Sequence, residues 1–195
     1  GREIGILYVH AHIRYLEAMA RLGRGEKLWK GILQANPILL TETVPNAAPR
    51  QSNTYFSSSD ADVADRYEFS SRFEELRKGE ILAKGGWRLY SSGPGIYLSR
   101  VIRDMLGIRM TADWVEFNPA LPAELDGAQV TAAFGGRTKT IRYVVREKGC
   151  GAAALWTEDR KLPLSPGEDT YRQGGIRIPK EQWLELPDTL TVETW

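Results

Sequence analysis

Gly85-Gly86-Trp87-Arg88-Leu89-Tyr90-Ser91-Ser92-Gly93-Pro94-Gly95-Ile96-Tyr97 is a glycine- and serine-rich turn that runs straight into an amphipathic helix. Pro94 suits the first helical position, where its missing N–H costs nothing and its φ is already set. Apolar residues then recur at Tyr97, Leu98, Val101, Ile102 and Met105, and Gly107 suits the position just past the helix end. Such a turn offers free backbone N–H groups and serine hydroxyls at the positive end of a helix dipole, which is an anion site. Glycine and proline would also serve as mere punctuation of a helix start. The aromatic frame of Trp87, Tyr90 and Tyr97 tips the reading, because sugar rings stack on such surfaces.

Upstream of this turn the chain reads as helical. Ile4, Tyr8, Ala11, Tyr15, Ala18 and Leu22 predict one apolar stripe that Gly23 ends, with the helix beginning near His10 or Ala11 because Gly5 weakens an earlier start. Leu28, Trp29, Ile32 and Leu33 predict a second, shorter helix that stops before Pro37. Residues 38–59 are rich in Pro, Asn, Ser and Thr without a period, and a loop of that length is functional or disordered. Residues 60–78 predict a polar helix. Its acidic cluster of Asp60, Asp62, Asp65 and Glu68 reads as a solvated helix start. In the helix after Pro94, Arg100 and Arg103 are expected to offset the C-terminal dipole.

The character changes after Gly107. Trp114-Val115-Glu116-Phe117 alternates, and so do residues 130–134 and 140–144 on either side of the Gly135-Gly136 turn. Residues 152–156, 175–178 and 190–194 predict further strands. Short strands at regular spacing predict a small antiparallel β-sandwich, so the fold class is α+β, helices first and strands after.

Composition excludes several classes. A net charge of +1 over 195 residues leaves no basic field to recruit nucleic acid and no acidic tail. No apolar run is long enough to span a bilayer. The single cysteine, Cys150, excludes an internal disulfide. The two histidines, His10 and His12, are two residues apart and face nearly opposite ways on a helix, so no metal site is expected. His12 flanks the apolar stripe and reads as a satisfied core residue, and His10, beside Arg14, Glu17 and Arg21, as a solvated one. No lysine follows the glycines of the turn as a nucleotide P-loop requires, and Gly93-Pro94-Gly95 is not a nucleophile elbow.

Three blocks together resemble a known family. The Trp87–Ser92–Gly93 turn, Tyr8-Val9-His10 ahead of its helix, and Asn36-Pro37 at a helix exit are similar to the cellobiose-phosphorylase-like glycoside phosphorylases, glycoside hydrolase family 94. Val44-Pro45-Asn46-Ala47-Ala48-Pro49-Arg50-Gln51-Ser52-Asn53-Thr54-Tyr55-Phe56-Ser57-Ser58-Ser59-Asp60 resembles the branch that acts on β-1,2-linked oligoglucans. The resemblance runs through Leu121-Pro122, the first two thirds of the chain.

The resemblance implies that residues 1–106 are the last helices of an (α/α)6 barrel and residues 107–195 a C-terminal β-sandwich. It matches His10, Ser92 and Gly93 to phosphate binding, with Ser91 as the alternative hydroxyl because this chain has one residue more after Trp87 than some members have. Arg50, Gln51, Asn53 and Tyr55 suit sugar hydroxyls and ring stacking, and loop filler is an equal reading. No catalytic residue is expected in this segment, since the family's general-acid aspartate lies upstream and nothing here matches its motif. The implied reaction is phosphorolysis of β-glucan oligosaccharide, with inorganic phosphate as co-substrate, no cofactor, and the N-terminal remainder of the parent enzyme as partner. Retention of a sugar phosphate favours the cytoplasm. An inverting hydrolase, with a second carboxylate such as Asp60, and a non-catalytic carbohydrate-binding segment are the alternatives.

Overall fold

The computed structural model describes residues 7–36, 39–48, 58–85 and 92–195. The chain divides into two units, Gly1–Leu16 with Lys30–Leu98, and Glu17–Trp29 with Ser99–Trp195. Its helices and strands bear out an α+β class.

A short strand, β1 (Leu7–Tyr8), leads directly into helix α1 (Val9–Arg21). The buried face of α1 is Ile13, Leu16 and Ala20, one helical stripe. This differs from the expected stripe. Tyr15 and Leu22 are 43% and 49% exposed, so α1 has a second apolar face that the described residues leave open. Helix α2 (Gly25–Ala35) buries Leu28 and Ile32, as its spacing predicts. His12 is half-buried, hydrogen-bonded through Nε2 to the Gly31 carbonyl at 2.8 Å and stacked on Tyr15, a satisfied structural histidine.

Helix α3 (Leu40–Thr43) is a single turn. Strand β2 (Ser58–Ala61) then precedes α4 (Arg66–Ser71) and α5 (Phe73–Lys78), where a single helix over residues 60–78 was expected. Of the acidic cluster expected at a helix start, Asp60 lies instead in β2, whereas Asp65 and Glu68 do start α4: the Asp65 carboxylate accepts from Tyr67 N and Glu68 N, and Glu68 Oε2 accepts from Ala64 N. After α5 come β3 (Ala83–Gly85) and α6 (Ser92–Ser99), which continues as a π-turn over Arg100–Met105. Pro94 therefore lies within the first turn of α6. The turn ends at Leu106, whose N–H reaches back to the Val101 carbonyl, and Gly107 follows at φ 69°.

The second unit holds two sheets. One has the order β4 (Ile108–Met110), β5 (Trp114–Phe117), β9 (Ile176–Pro179), antiparallel throughout. The other has the order β6 (Gln129–Phe134), β7 (Arg137–Val144), β10 (Thr189–Glu193), β8 (Ala154–Trp156). The predicted hairpin is present, with Gly135 and Gly136 both at positive φ (60° and 91°). One pair departs from an all-antiparallel sandwich: β10 runs parallel to β7, from Thr189 opposite Thr140 to Glu193 opposite Val144. A helix the sequence did not announce, α7 (Lys180–Glu185), carries the chain from β9 to β10 and inserts Trp183. That indole is fully buried, donates to the Phe134 carbonyl at 3.0 Å and lies 5.9 Å from the Phe117 ring. Ile141, Tyr143, Leu155, Leu190 and Val192 complete the core on the four-stranded sheet, and Val115, Phe117, Ile176 and Ile178 on the three-stranded one.

Candidate functional site

Strands β1, β2 and β3 form a small antiparallel sheet whose backbone adjoins the segments that carry the sequence-predicted site residues. Leu7 and Gly85 flank Ser59 from opposite sides in one register row. Two strand spacings, about 10 Å, therefore separate the backbone just before His10 from the backbone just before the Gly86–Ser91 turn. The middle strand begins three residues after Tyr55. Thus the described residues that adjoin three segments far apart in sequence lie side by side in one sheet: Leu7–Tyr8 before α1, Ser58–Ser59 after the aperiodic loop, and Gly85 before the turn that leads to α6.

His10 lies in the first turn of α1, and Ser92 and Gly93 open α6. The side chains of these residues lie outside the described residues. So do Ser91 and the loop positions Arg50, Gln51, Asn53 and Tyr55 altogether. What the backbone adds is a scaffold the spacing did not reveal, because three two- to four-residue strands leave no periodic signal.

Helix α6 is anchored on its own unit by Tyr97, whose hydroxyl donates to the Ile32 carbonyl at 3.1 Å. Burial pushes that phenol up to about 12, against a hydrogen bond with Asn36. Further along, the expected role of Arg100 in offsetting the helix dipole is replaced by ion pairing. Arg100 meets Asp104 at 2.8 Å and Glu17 at 3.2 Å. Arg109 lies 3.6 Å from both Asp104 and Glu116, and Arg177 meets Glu116 at 3.1 Å while covering the Trp114 ring at 4.6 Å. The result is an alternating chain of three carboxylates and three guanidiniums through the second unit. Burial holds the Asp104 carboxyl above the usual carboxylate range even though Arg100 and Arg109 pull it down. The Arg100–Asp104 spacing of four was visible on a helix, whereas Glu17, Arg109 and Glu116 arrive only through tertiary contact.

Two clefts open on the second unit. One, of about 250 Å³, is lined by Arg24, Lys27, Arg146 and Lys148 with Glu26 and Glu147. The other, of about 520 Å³, lies between the segment after β8 and α7. Among the described residues no group of three His, Cys, Asp or Glu could hold a metal ion, and no helix is long and apolar enough to cross a membrane.

Over residues 107–187 the chain matches the family described as glycoside phosphorylase C-terminal domain. The match begins at Gly107, where the helical part gives way to strands. A 1,2-beta-oligoglucan phosphorylase of Listeria innocua serovar 6a is 43% identical over 193 residues, which is 99% of this chain and 17% of that protein. A cyclic beta-(1,2)-glucan synthase, NdvB, of Rhizobium meliloti is 25% identical over 140 residues, 72% of this chain and 4% of the synthase. The chain thus spans about a sixth of the length of the oligoglucan phosphorylase it resembles, and similarity to it extends through both the helical and the glycoside phosphorylase C-terminal parts.

Proposed function

We propose that this chain is the C-terminal portion of an inverting glycoside phosphorylase of glycoside hydrolase family 94, acting on β-1,2-linked oligoglucans. The observation that carries the reading is 43% identity to the Listeria oligoglucan phosphorylase along nearly the whole chain. In the reaction, a phosphate oxygen bonds to the anomeric carbon as the glycosidic C–O bond breaks. The departing sugar oxygen takes a proton from one carboxylic acid. The products are α-glucose 1-phosphate and a glucan shorter by one unit. Inorganic phosphate is already nucleophilic, so the enzyme needs an anion site in place of the base and water of an inverting hydrolase.

In this reading the chain supplies the anion site. His10, the Ser92 hydroxyl and the Gly93 N–H hold phosphate, with Ser91 as the alternative donor, and Arg50, Gln51, Asn53 and Tyr55 contact the glucan. The shared β1–β2–β3 sheet supports this grouping, because it seats the flanking backbone of all three segments side by side. The general acid comes from the N-terminal remainder of the enzyme, so the isolated chain is inactive. Residues 1–106 are the end of an (α/α)6 barrel and residues 107–195 a β-sandwich. The open second face of α1 supports the barrel assignment, since a helix apolar on two sides belongs between two layers. No cofactor takes part, and retention of the sugar phosphate suits a cytoplasmic enzyme. The test is release of glucose 1-phosphate from β-1,2-oligoglucan by the full-length enzyme. Dependence on added phosphate is the expected result, and sugar release that is equal without phosphate overturns it in favour of hydrolysis.

A further inference from the structure

Two hydrogen bonds tie the helices that carry the proposed phosphate ligands to one stretch of a third helix. His12 on α1 donates through Nε2 to the Gly31 carbonyl at 2.8 Å, and Tyr97 on α6 donates its hydroxyl to the Ile32 carbonyl at 3.1 Å. Since a carbonyl only accepts, Nε2 carries the imidazole proton. The two acceptors are consecutive residues of α2, and all four residues belong to one unit of the chain. Ile32 is among the last four residues of α2, whose carbonyls have no partner within the helix, so the Tyr97 hydroxyl also closes that helix end. Glycine at 31 permits the close approach of α1: a Cβ there would collide with Leu16 Cδ2 and sit 3.2 Å from His12 Nε2. His10 stands two residues before His12, about 3 Å along α1, and Ser92 five residues before Tyr97, about 7.5 Å along α6. Both helices are therefore held near their first turns.

We propose that His12 and Tyr97 are positioning residues for phosphate: by holding α1 and α6 on consecutive carbonyls of α2, they set the spacing of the helix starts that carry His10, Ser92 and Gly93. The inference rests on the phosphorolysis reading above, and it asks neither residue to touch the anion. An anion gripped from two helices is bound only while its donors keep their spacing, because a hydrogen bond weakens steeply as the donor moves out of line. Both clasps are preorganised. Stacking on Tyr15 at 5.8 Å fixes the plane of the His12 ring. Burial pushes the Tyr97 phenol up to about 12, so it keeps its proton, and its role as donor, at neutral pH. The β1–β2–β3 sheet aligns only the backbone ahead of the two helices, in strands of two to four residues, whereas these bonds act on the helices themselves.

Steady-state kinetics of the full-length enzyme in both directions tests this. Tyr97→Phe removes one hydroxyl and is expected to raise KM for phosphate about two- to tenfold, the effect of one neutral hydrogen bond, with KM for β-1,2-glucan changed by less than about twofold. His12→Ala should shift phosphate in the same way, and His12→Gln, whose amide still donates, should restore most of the loss. KM for glucose 1-phosphate should rise in parallel in the synthetic direction. Tyr143→Phe is the control, since it deletes a hydroxyl likewise bonded to a backbone carbonyl, that of Leu106 at 2.8 Å, in the other unit. It should lower thermal stability without moving either KM. Should His12→Ala not fold, Tyr97→Phe decides. A phosphate KM that stays unchanged in Tyr97→Phe, rises no more than glucan KM, or rises equally in Tyr143→Phe overturns the inference. Wild-type sugar release that needs no phosphate overturns the phosphorolysis reading, and this inference with it.

Discussion

Asp104 shows how one residue can be both paired and penalised. Its side chain is nearly buried between Arg100 and Arg109, and desolvation outweighs their attraction, so its carboxyl titrates above the ordinary value of 3.8. The folded state therefore binds this proton more readily than the unfolded chain. The stabilisation linked to it is fully present below pH 3.8 and is lost as pH rises through the folded-state value. Asp104→Ala should cost about 1.5–3 kcal/mol in denaturant unfolding at pH 7, since Arg100 and Arg109 each lose one of two carboxylate partners and keep Glu17 and Glu116 respectively. The loss should grow as pH falls from 7 toward 3.8, because the wild-type fold takes up the Asp104 proton more readily than the unfolded chain and the alanine variant has no such gain. Lys139 poses the converse case: a fully buried ammonium donating to the Leu186 and Pro187 carbonyls, with its pKa lowered by burial. Lys139→Met should lose about 1–3 kcal/mol by orphaning those acceptors.

At the scale of elements, the end of the π-turn is tightly constrained. Gly107 takes φ 69°, and a Cβ there would collide with the backbone of Asn118 and Pro119. Gly107→Ala should cost more than about 2 kcal/mol, because strain and displacement of β5's exit add. Gly127→Ala provides the control: φ is 80°, nothing lies within 4 Å of the added methyl, and only the conformational cost of about 1–2 kcal/mol remains. Thermal unfolding of the two variants separates crowding from φ strain. Equal shifts would show that Asn118 and Pro119 move aside freely.

For the whole molecule, the decisive measurements concern phosphate. Ser92→Ala and His10→Ala in the full-length enzyme should each remove about 1.5–3 kcal/mol of anion binding, a ten- to hundredfold rise in the phosphate requirement with little change for glucan. The synthetic direction, which uses glucose 1-phosphate, should weaken in parallel. Unchanged phosphate dependence together with weakened glucan binding would mean that the turn was misassigned. The isolated chain should release no glucose 1-phosphate. Measurable turnover would place a general acid within these 195 residues.

The sequence by itself determined the mixed α+β class and several of its elements. Spacing marked α1, α2, the Gly135-Gly136 hairpin and the strands at Trp114 and Leu190, because a 3.6- or 2-residue period is imposed by one buried face and is written locally. The proposed anion site at the turn before α6 was likewise read from the sequence alone, since glycine, serine and proline act through their own backbone and hydroxyl chemistry. Which face of α1 is buried was decided only in three dimensions. Both of its stripes are apolar, and packing selected Ile13, Leu16 and Ala20. The parallel union of β10 with β7 was invisible for a related reason: alternation records which side of a strand is buried, not the direction of its neighbour. The β1–β2–β3 sheet and the Arg100–Glu17 link of the carboxylate–guanidinium chain likewise join residues tens of positions apart. Such contacts depend on where the backbone places each partner, and no local pattern encodes that.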